Sequence, residues 1–295
     1  MSEHGAERTE KLAIDVQGLR KRYGDVTAVD GIDLAVRHGE VFGILGPNGA
    51  GKSTTVEILQ GHRTRDGGEV SVLGADPGSG GRAWRSRVGI VWQDESAPAE
   101  LTVQETVRHF ARYYPSPRDP DEVIDLVGLD AKAGSRVKAL SGGQRRRLDV
   151  ALGVIGDPEL LLLDEPTTGF DPAARRQFWE LIRLLADEGT TIVLTTHYLE
   201  EAEALAHRLA VIAAGRVVAE GTPEELRHRF GSEATVEWRE RDGTPRRERT
   251  PAPTRTVVGL MDRFGGEIPG LTISRPTLED VYLRLTGRPE REDAR

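Results

Sequence analysis

The chain contains no cysteine, which excludes disulfides and thiolate metal sites. Its seven histidines show no paired ligand spacing either. Long apolar runs are missing: none approaches the ~18 residues of a membrane span. The first ten residues, Met1 to Glu10, are polar and lack the apolar core of a signal peptide. These absences lead us to expect a cytoplasmic chain. An excess of positive charge is missing too. At a net charge of -8 the protein does not read as a general nucleic-acid binder. The one obvious basic cluster, Arg145-Arg-Arg147, reads as a solvated helix face or a subunit contact. With 295 residues, 37% hydrophobic and 30% charged, there is material for one large domain plus an appendage.

What is present centres on Gly46-Pro-Asn-Gly-Ala-Gly-Lys-Ser-Thr54, placed between the apolar run Val41 to Leu45 and an apolar-periodic segment with Val56, Ile58 and Leu59. Strand, glycine loop and helix are implied, in the spacing of a P-loop. Gly46, Gly49 and Gly51 permit positive φ and close approach of backbone to an anion, with Asn48, Ala50 and Thr54 in the same turn. The following helix adds its positive dipole end. Lys52 is placed to reach β/γ-phosphate oxygens and Ser53 to offer a hydroxyl to Mg²⁺, so metal is expected only with nucleotide. Asn48 is the chain's only asparagine, which excludes the Asn-Lys-x-Asp base-reading motif of a GTPase switch.

The rest of the chain supplies further candidates. Leu12 to Glu40 reads as a small antiparallel sheet broken by Gly24, Gly31 and Gly39. Tyr23 stands at its turn; alone, it reads as a packing or surface aromatic sooner than as a base-stacking platform. Val88 to Trp92 is a strand delivering Gln93, an ordinary loop residue if taken alone, to the end where an α/β sheet holds its ligand. Thr102-Val-Gln-Glu105 resembles a capping box, and Pro115, Pro117 and Pro120 end that helix. Leu140-Ser-Gly-Gly-Gln144 stands at the next long helix's N-terminus, which suits either a simple cap or an anion site. Leu160 to Leu163 is a buried strand ending in Asp164-Glu165. Asp164 suits Mg²⁺, and Glu165 suits orienting and deprotonating an attacking water. A further apolar strand, Thr190 to Thr196, presents His197 at its end; a lone histidine is more often a core or surface residue, but on a strand parallel to the previous two it would face the same crevice. Beyond Gly231 a ribbon, a basic proline-containing linker and two amphipathic helices are expected. Their stripes are Val257, Leu260, Met261, Phe264 and Leu278, Val281, Tyr282, Leu285.

Together these motifs make the sequence resemble the ATP-binding subunits of ABC transporters over residues 12 to about 230. In that family the segments would be the P-loop from Gly46, the Q-loop at Gln93, the signature Leu140 to Gln144, Walker B at Leu160 to Asp164 with Glu165, the D-loop at Asp171, and the switch His197. The resemblance implies ATP and Mg²⁺ as ligands, with metal contacts from Ser53, Gln93 and Asp164. It raises Tyr23 to an adenine-stacking aromatic. It also implies a head-to-tail homodimer in which Ser141, Gly142, Gly143 and Gln144 of one copy close on the phosphate held by Lys52 of the other. Separate membrane permeases would complete the assembly on the inner face of the cell membrane. The closer resemblance, through Thr196-His-Tyr-Leu-Glu-Glu-Ala-Glu203 and Thr277 to Gly287, is to the drug-resistance and antibiotic-export branch. The fold expected is therefore an α/β P-loop NTPase over 12–230, with an antiparallel β subdomain and a helical subdomain at about 95–155. A flexible 1–11 would precede it, and an α+β accessory domain would occupy 231–295. A soluble ABC ATPase of translation or DNA repair is the alternative, although the second nucleotide domain or long coiled coil of such proteins is missing.

Overall fold

The structure is a computed structural model, and it describes residues 12–92, 100–230 and 233–287. The expected flexible segment 1–11 lies outside them. Strands β1 (Leu12–Tyr23) and β2 (Val26–Arg37) form a hairpin; β3 (Val41–Leu45) and α1 (Lys52–Leu59) follow, and β4 (Gly67–Val72) returns to β1. The result is an antiparallel sheet in the order β2-β1-β4. Gly31 does not break its strand as expected. At φ 78° it is skipped between the pairs Leu19 with Ile32 and Arg20 with Asp30, a bulge that absorbs one residue while pairing continues.

The chain then runs through α2 (Arg82–Arg85), β5 (Val88–Val91), α3 (Val103–Ala111), α4 (Pro120–Leu126) and α5 (Gly142–Val154). Helix α3 starts at the anticipated capping box, Thr102 with Glu105. Pro120 opens α4 instead of closing α3, because a first-turn N–H has no intrahelical acceptor to lose and Asp119 caps the turn. Next come β6 (Leu160–Asp164), α6 (Pro172–Asp187), β7 (Thr191–Thr196), α7 (Leu199–Leu205), β8 (Arg208–Ala213) and β9 (Arg216–Gly221). These strands build the second sheet, ordered β5-β6-β7-β3-β8-β9 and parallel from β5 to β8.

Both faces of that sheet are covered, which is why its strands read as continuous apolar runs. In β6, Leu161 and Leu163 enter a core with α3 to α6, while Leu160 and Leu162 enter the core shared with α1 and the antiparallel sheet. All four are fully buried, worth about 1.5–3 kcal/mol each. Polar chemistry is thus pushed to strand ends. Leu45 of β3 pairs with Thr196 of β7, and Asp164 of β6 with Thr195, so three carboxyl-terminal ends lie at one level of the sheet. Among the described residues no helix is long and apolar enough to cross a membrane.

The chain divides into compact units between Val218 and Ala219, not at 230/231. The second unit takes the end of β9 and then holds α8 (Pro223–Phe230), β10 (Ala234–Arg239), β11 (Pro245–Thr250), α9 (Pro253–Phe264), β12 (Thr272–Ser274) and α10 (Leu278–Thr286). Helix α8 belongs here because it packs on α10, where the Arg284 guanidinium donates to the Phe230 carbonyl at 2.9 Å. The stretch read as a basic linker is strand β11, paired along β10. Val236, Trp238, Leu260 and Ile268 form the core under α9, with Val257 and Phe264 against it, whereas Met261 is 49% exposed.

Leu260→Ala removes the apolar plug between α9 and β10 and is expected to cost about 2–5 kcal/mol. Hydrogen exchange followed by mass spectrometry checks this. Peptides spanning 234–264 should exchange faster, while those from β3 and α1 keep wild-type rates.

Candidate active site

The loop from Gly46 to Gly51 leaves β3 and enters α1 under steric constraint. A Cβ on Gly46 would meet the Ile212 carbonyl oxygen at 2.4 Å, and one on Gly51, at φ 103°, would meet that of Ala28 at 2.3 Å. Only glycine fits at either place. Gly49, at φ 78°, has nothing within 4 Å and requires glycine for its backbone alone. Ala50 is buried, and its carbonyl accepts from Gly215 at 3.1 Å, fastening the loop from below, while Asn48 and Ser53 are exposed. The Lys52 ammonium is 5% exposed and donates to the Gly46 carbonyl at 2.8 Å and the Pro47 carbonyl at 3.3 Å. Burial pulls it below its ordinary value, and the carboxylates of Glu165 and Asp164 oppose that pull.

Glu165 is the point on which the strand ends converge. Its Oε1 lies 3.8 Å from Lys52 Nζ and 3.3 Å from His197 Nδ1. The Thr168 hydroxyl donates to its other oxygen at 3.4 Å. Its backbone sits at φ 44°, a left-handed conformation that costs a non-glycine residue about 1–3 kcal/mol. Thr195 of β7 helps to hold it there. The hydroxyl accepts from Glu165 N–H at 3.0 Å and donates to the Asp164 carboxylate.

The remaining candidates occupy defined places. Ser141 caps α5 in a closed capping box with Gln144: the Ser141 hydroxyl accepts from the Gln144 backbone N–H at 3.3 Å, and the Gln144 side-chain oxygen accepts from the Ser141 backbone N–H at 3.0 Å. Ser141 and Gly142 are exposed at this helix end, with Gly143 half-buried. Asp171 caps α6, accepting at 2.9 Å from both Ala173 and Ala174 N–H, and these bonds lower its carboxyl below the usual range. Tyr23 is 40% exposed with the Arg63 guanidinium 5.2 Å from its ring centre; Arg63 is itself paired with Glu57 of α1. Gln93 lies outside the described residues.

Sequence reasoning missed two buried charged residues, Arg146 behind the strand ends and Glu201 in α7. Arg146 belongs to the cluster read as a solvated face or subunit contact, yet it is 8% exposed and donates to the carbonyls of Pro166 and Asp164, both at 3.0 Å, and of Trp92. The signal was available: at helical spacing Arg146 shares a stripe with Val150, Gly153 and Val154, all buried or glycine. Glu201 of α7 was read only as part of a branch motif. It is fully buried, accepts from the Trp179 indole at 3.3 Å, and its carboxyl is pushed up by burial. The hydroxyls of Thr196 and Thr167, the indole and the Arg175 guanidinium oppose that rise.

The site's donors fit a magnesium nucleotide. Ser53 and Asp164 offer hard oxygens, and among the described residues no cluster of three His, Cys, Asp or Glu could hold an ion by itself. An ion here would need phosphate oxygens and water to complete its shell.

Two predictions follow from this geometry. Gly49→Ala should cost about 1–2 kcal/mol from φ alone, whereas Gly51→Ala should cost about 1–3 kcal/mol more from the clash with Ala28; urea melts of both variants measure the gap. For Glu201, a folded-state pKa above the ordinary value of 4.5 means stability present below that value and lost as pH rises through the folded one. Glu201→Gln should therefore gain on wild type in thermal melts as pH is raised from acid to neutral.

A sequence profile of the ABC transporter family matches residues 29–168. A protein of Rhizobium sp. (strain N33) named Nod factor export ATP-binding protein I is 42% identical over 94% of this chain and 98% of its own. One of the same name from Ralstonia nicotianae is 43% identical over 95% of each chain. Among solved structures, an ATP-binding subunit of an ABC transporter superposes with a TM-score of 0.67 at 26% identity, covering 75% of this chain and 93% of that one. An ATP-binding cassette in a dimeric post-hydrolysis state with ADP and phosphate gives 0.64 at 24%, covering 71% and 98%, a likeness of fold. With its glycine cradle, its strand-end carboxylates and relatives matched along nearly its whole length, the chain belongs to the ATP-binding proteins of the ABC transporter family.

Proposed function

We propose that this chain is the ATP-hydrolysing subunit of an exporter, driving efflux of a drug-like or amphiphilic compound through a separate membrane permease. The observation that carries the reading is the Glu165 carboxylate, 3.3 Å from His197 and 3.8 Å from Lys52, at the ends of the adjacent strands β6, β7 and β3. A carboxylate, a cation and an imidazole meet beside the glycine loop.

In this reading the loop from Gly46 to Thr54 and the dipole of α1 hold the phosphates, and Lys52 turns to the β/γ oxygens. Ser53, Asp164 and Gln93 would hold Mg²⁺, which supplies charge neutralisation across those oxygens. Glu165 takes a proton from the attacking water as the bond from the γ-phosphorus to the ADP oxygen breaks, and His197 contacts the γ-phosphate. Tyr23 stacks on adenine. Ser141, Gly142, Gly143 and Gln144 of a second copy close the site head to tail; the exposure of Ser141 and Gly142 at the N-terminus of a thirteen-residue helix supports this assignment. Asp171 shapes the turn before α6 at that interface. The core assigned to this work is the first compact unit, through Val218, with the second unit as accessory and the working location peripheral on the inner face of the cell membrane.

The relatives' names support export, of Nod factor in their case. The segments Thr196 to Glu203 and Thr277 to Gly287 support the drug-resistance branch, of daunorubicin-resistance type. Direction is common to both, and the compound is what distinguishes them.

Glu165→Gln should retain ATP binding while turnover falls by about 10²–10⁴, the usual share of a general base, and the protein should elute as a dimer in ATP. Purified from solubilised native membranes with ATP, this variant should carry a polytopic membrane protein in stoichiometric amount. Undiminished hydrolysis would overturn the base assignment, and recovery with ribosomal or DNA-repair proteins would favour the soluble alternative.

A further inference from the structure

Helix α5 carries the residues that the proposed dimer would present to a second copy, and one turn further along it carries Arg146. A buried guanidinium is tolerated only where its donors are satisfied. Here the acceptors are backbone oxygens: Nε donates to Pro166 and Nη2 to Asp164, both at 3.0 Å, and Nη1 donates to Trp92. Asp149, one turn away, places a carboxylate oxygen 4.0 Å from Nη1. Burial lowers the guanidinium from its ordinary value, opposed by Asp149, Asp164 and Glu201, yet a side chain of this kind stays charged in a protein.

The choice of acceptors is informative. Asp164 and Pro166 are the residues on either side of Glu165, and Trp92 immediately precedes Gln93. Glu165 itself holds a left-handed φ of 44° that its surroundings must impose. Thr195 binds it from β7, and Arg146 is the matching grip from α5. A lysine has the charge but not the planar fork needed to reach three carbonyls on two different strand ends.

We propose that Arg146 is a positioning residue: it fixes the backbone on both sides of Glu165 from the helix bearing Ser141 to Gly143, so that the seating of that helix sets the aim of the catalytic carboxylate. The inference rests on the ATPase reading above. It makes the general base sensitive to whether a second copy has engaged the N-terminus of α5. No contact between Arg146 and nucleotide is required.

The test compares wild type, Arg146→Lys and Arg146→Gln as full-length proteins, measuring kcat and KM for ATP, binding of a fluorescent ATP analogue, and thermal stability. Arg146→Gln should lower kcat by about 10–100-fold while KM and analogue affinity stay within about twofold, and Arg146→Lys should fall between. In the Glu165→Gln background, single-turnover hydrolysis should show no additional loss on Arg146→Gln, because the residue acts through Glu165. A wild-type kcat in Arg146→Gln, a loss that falls on KM and analogue affinity, or a full multiplicative loss in the double variant would each overturn the proposal. Should Arg146→Gln fail to fold, Arg146→Lys and its double variant decide by the same criteria. A wild-type protein that does not hydrolyse ATP would instead remove the underlying reading, so the two failures are distinguishable.

Discussion

Burial of a parallel sheet on both faces is the constraint from which the rest of this protein follows. Strands such as β6, with four leucines out of contact with water, leave no room for ionised groups along their length. Charge is admitted only where the chain leaves the sheet. Because β3, β6 and β7 are parallel and in register, their exits coincide, and the acid pair and the histidine arrive together with a lysine more than a hundred residues before them in the chain. Packing thus gathers the reactive groups before any of them touches another.

The groups so gathered are held mainly through the backbone. Gly46 and Gly51 press against the carbonyls of Ile212 and Ala28. Thr195 grips the amide of Glu165, and Arg146 grips the carbonyls around it. Side-chain chemistry at the site can then be specified by a few residues while the path of the chain beneath them is fixed by many contacts. Such a division suits a site in which small displacements of a carboxylate have large effects on rate.

Most of this was legible in the sequence for a physical reason. Glycine at 46, 49 and 51, lysine at 52, and acids after four leucines are residue types with few substitutes, so their spacing carries geometry with it. The capping box at Thr102 is equally local and stands in the structure, and Ser141, read as a simple cap or an anion site, closes a full box there. Long-range information was harder to read. Three consecutive arginines suggest solvent by composition, and only the stripe shared with Val150 and Val154 marks Arg146 as internal. Helix α8 looks like the end of the first unit until its packing on α10 assigns it to the second. Pro120 reads as a stop because proline cannot sit inside a helix, while the Asp119 cap that makes it a start lies one residue before it.

The left-handed backbone of Glu165 has a consequence for how this chain tolerates change. Conformational preference alone would place glycine or asparagine at φ 44°. A glutamate there means that chemistry has outvoted conformation at one position, and that foldedness and activity are under opposed selection at the same atom. Any search for sturdier sequences on this backbone would discard Glu165 among its first choices, and, on the role proposed for that carboxylate, the protein that resulted would be more robust and inert.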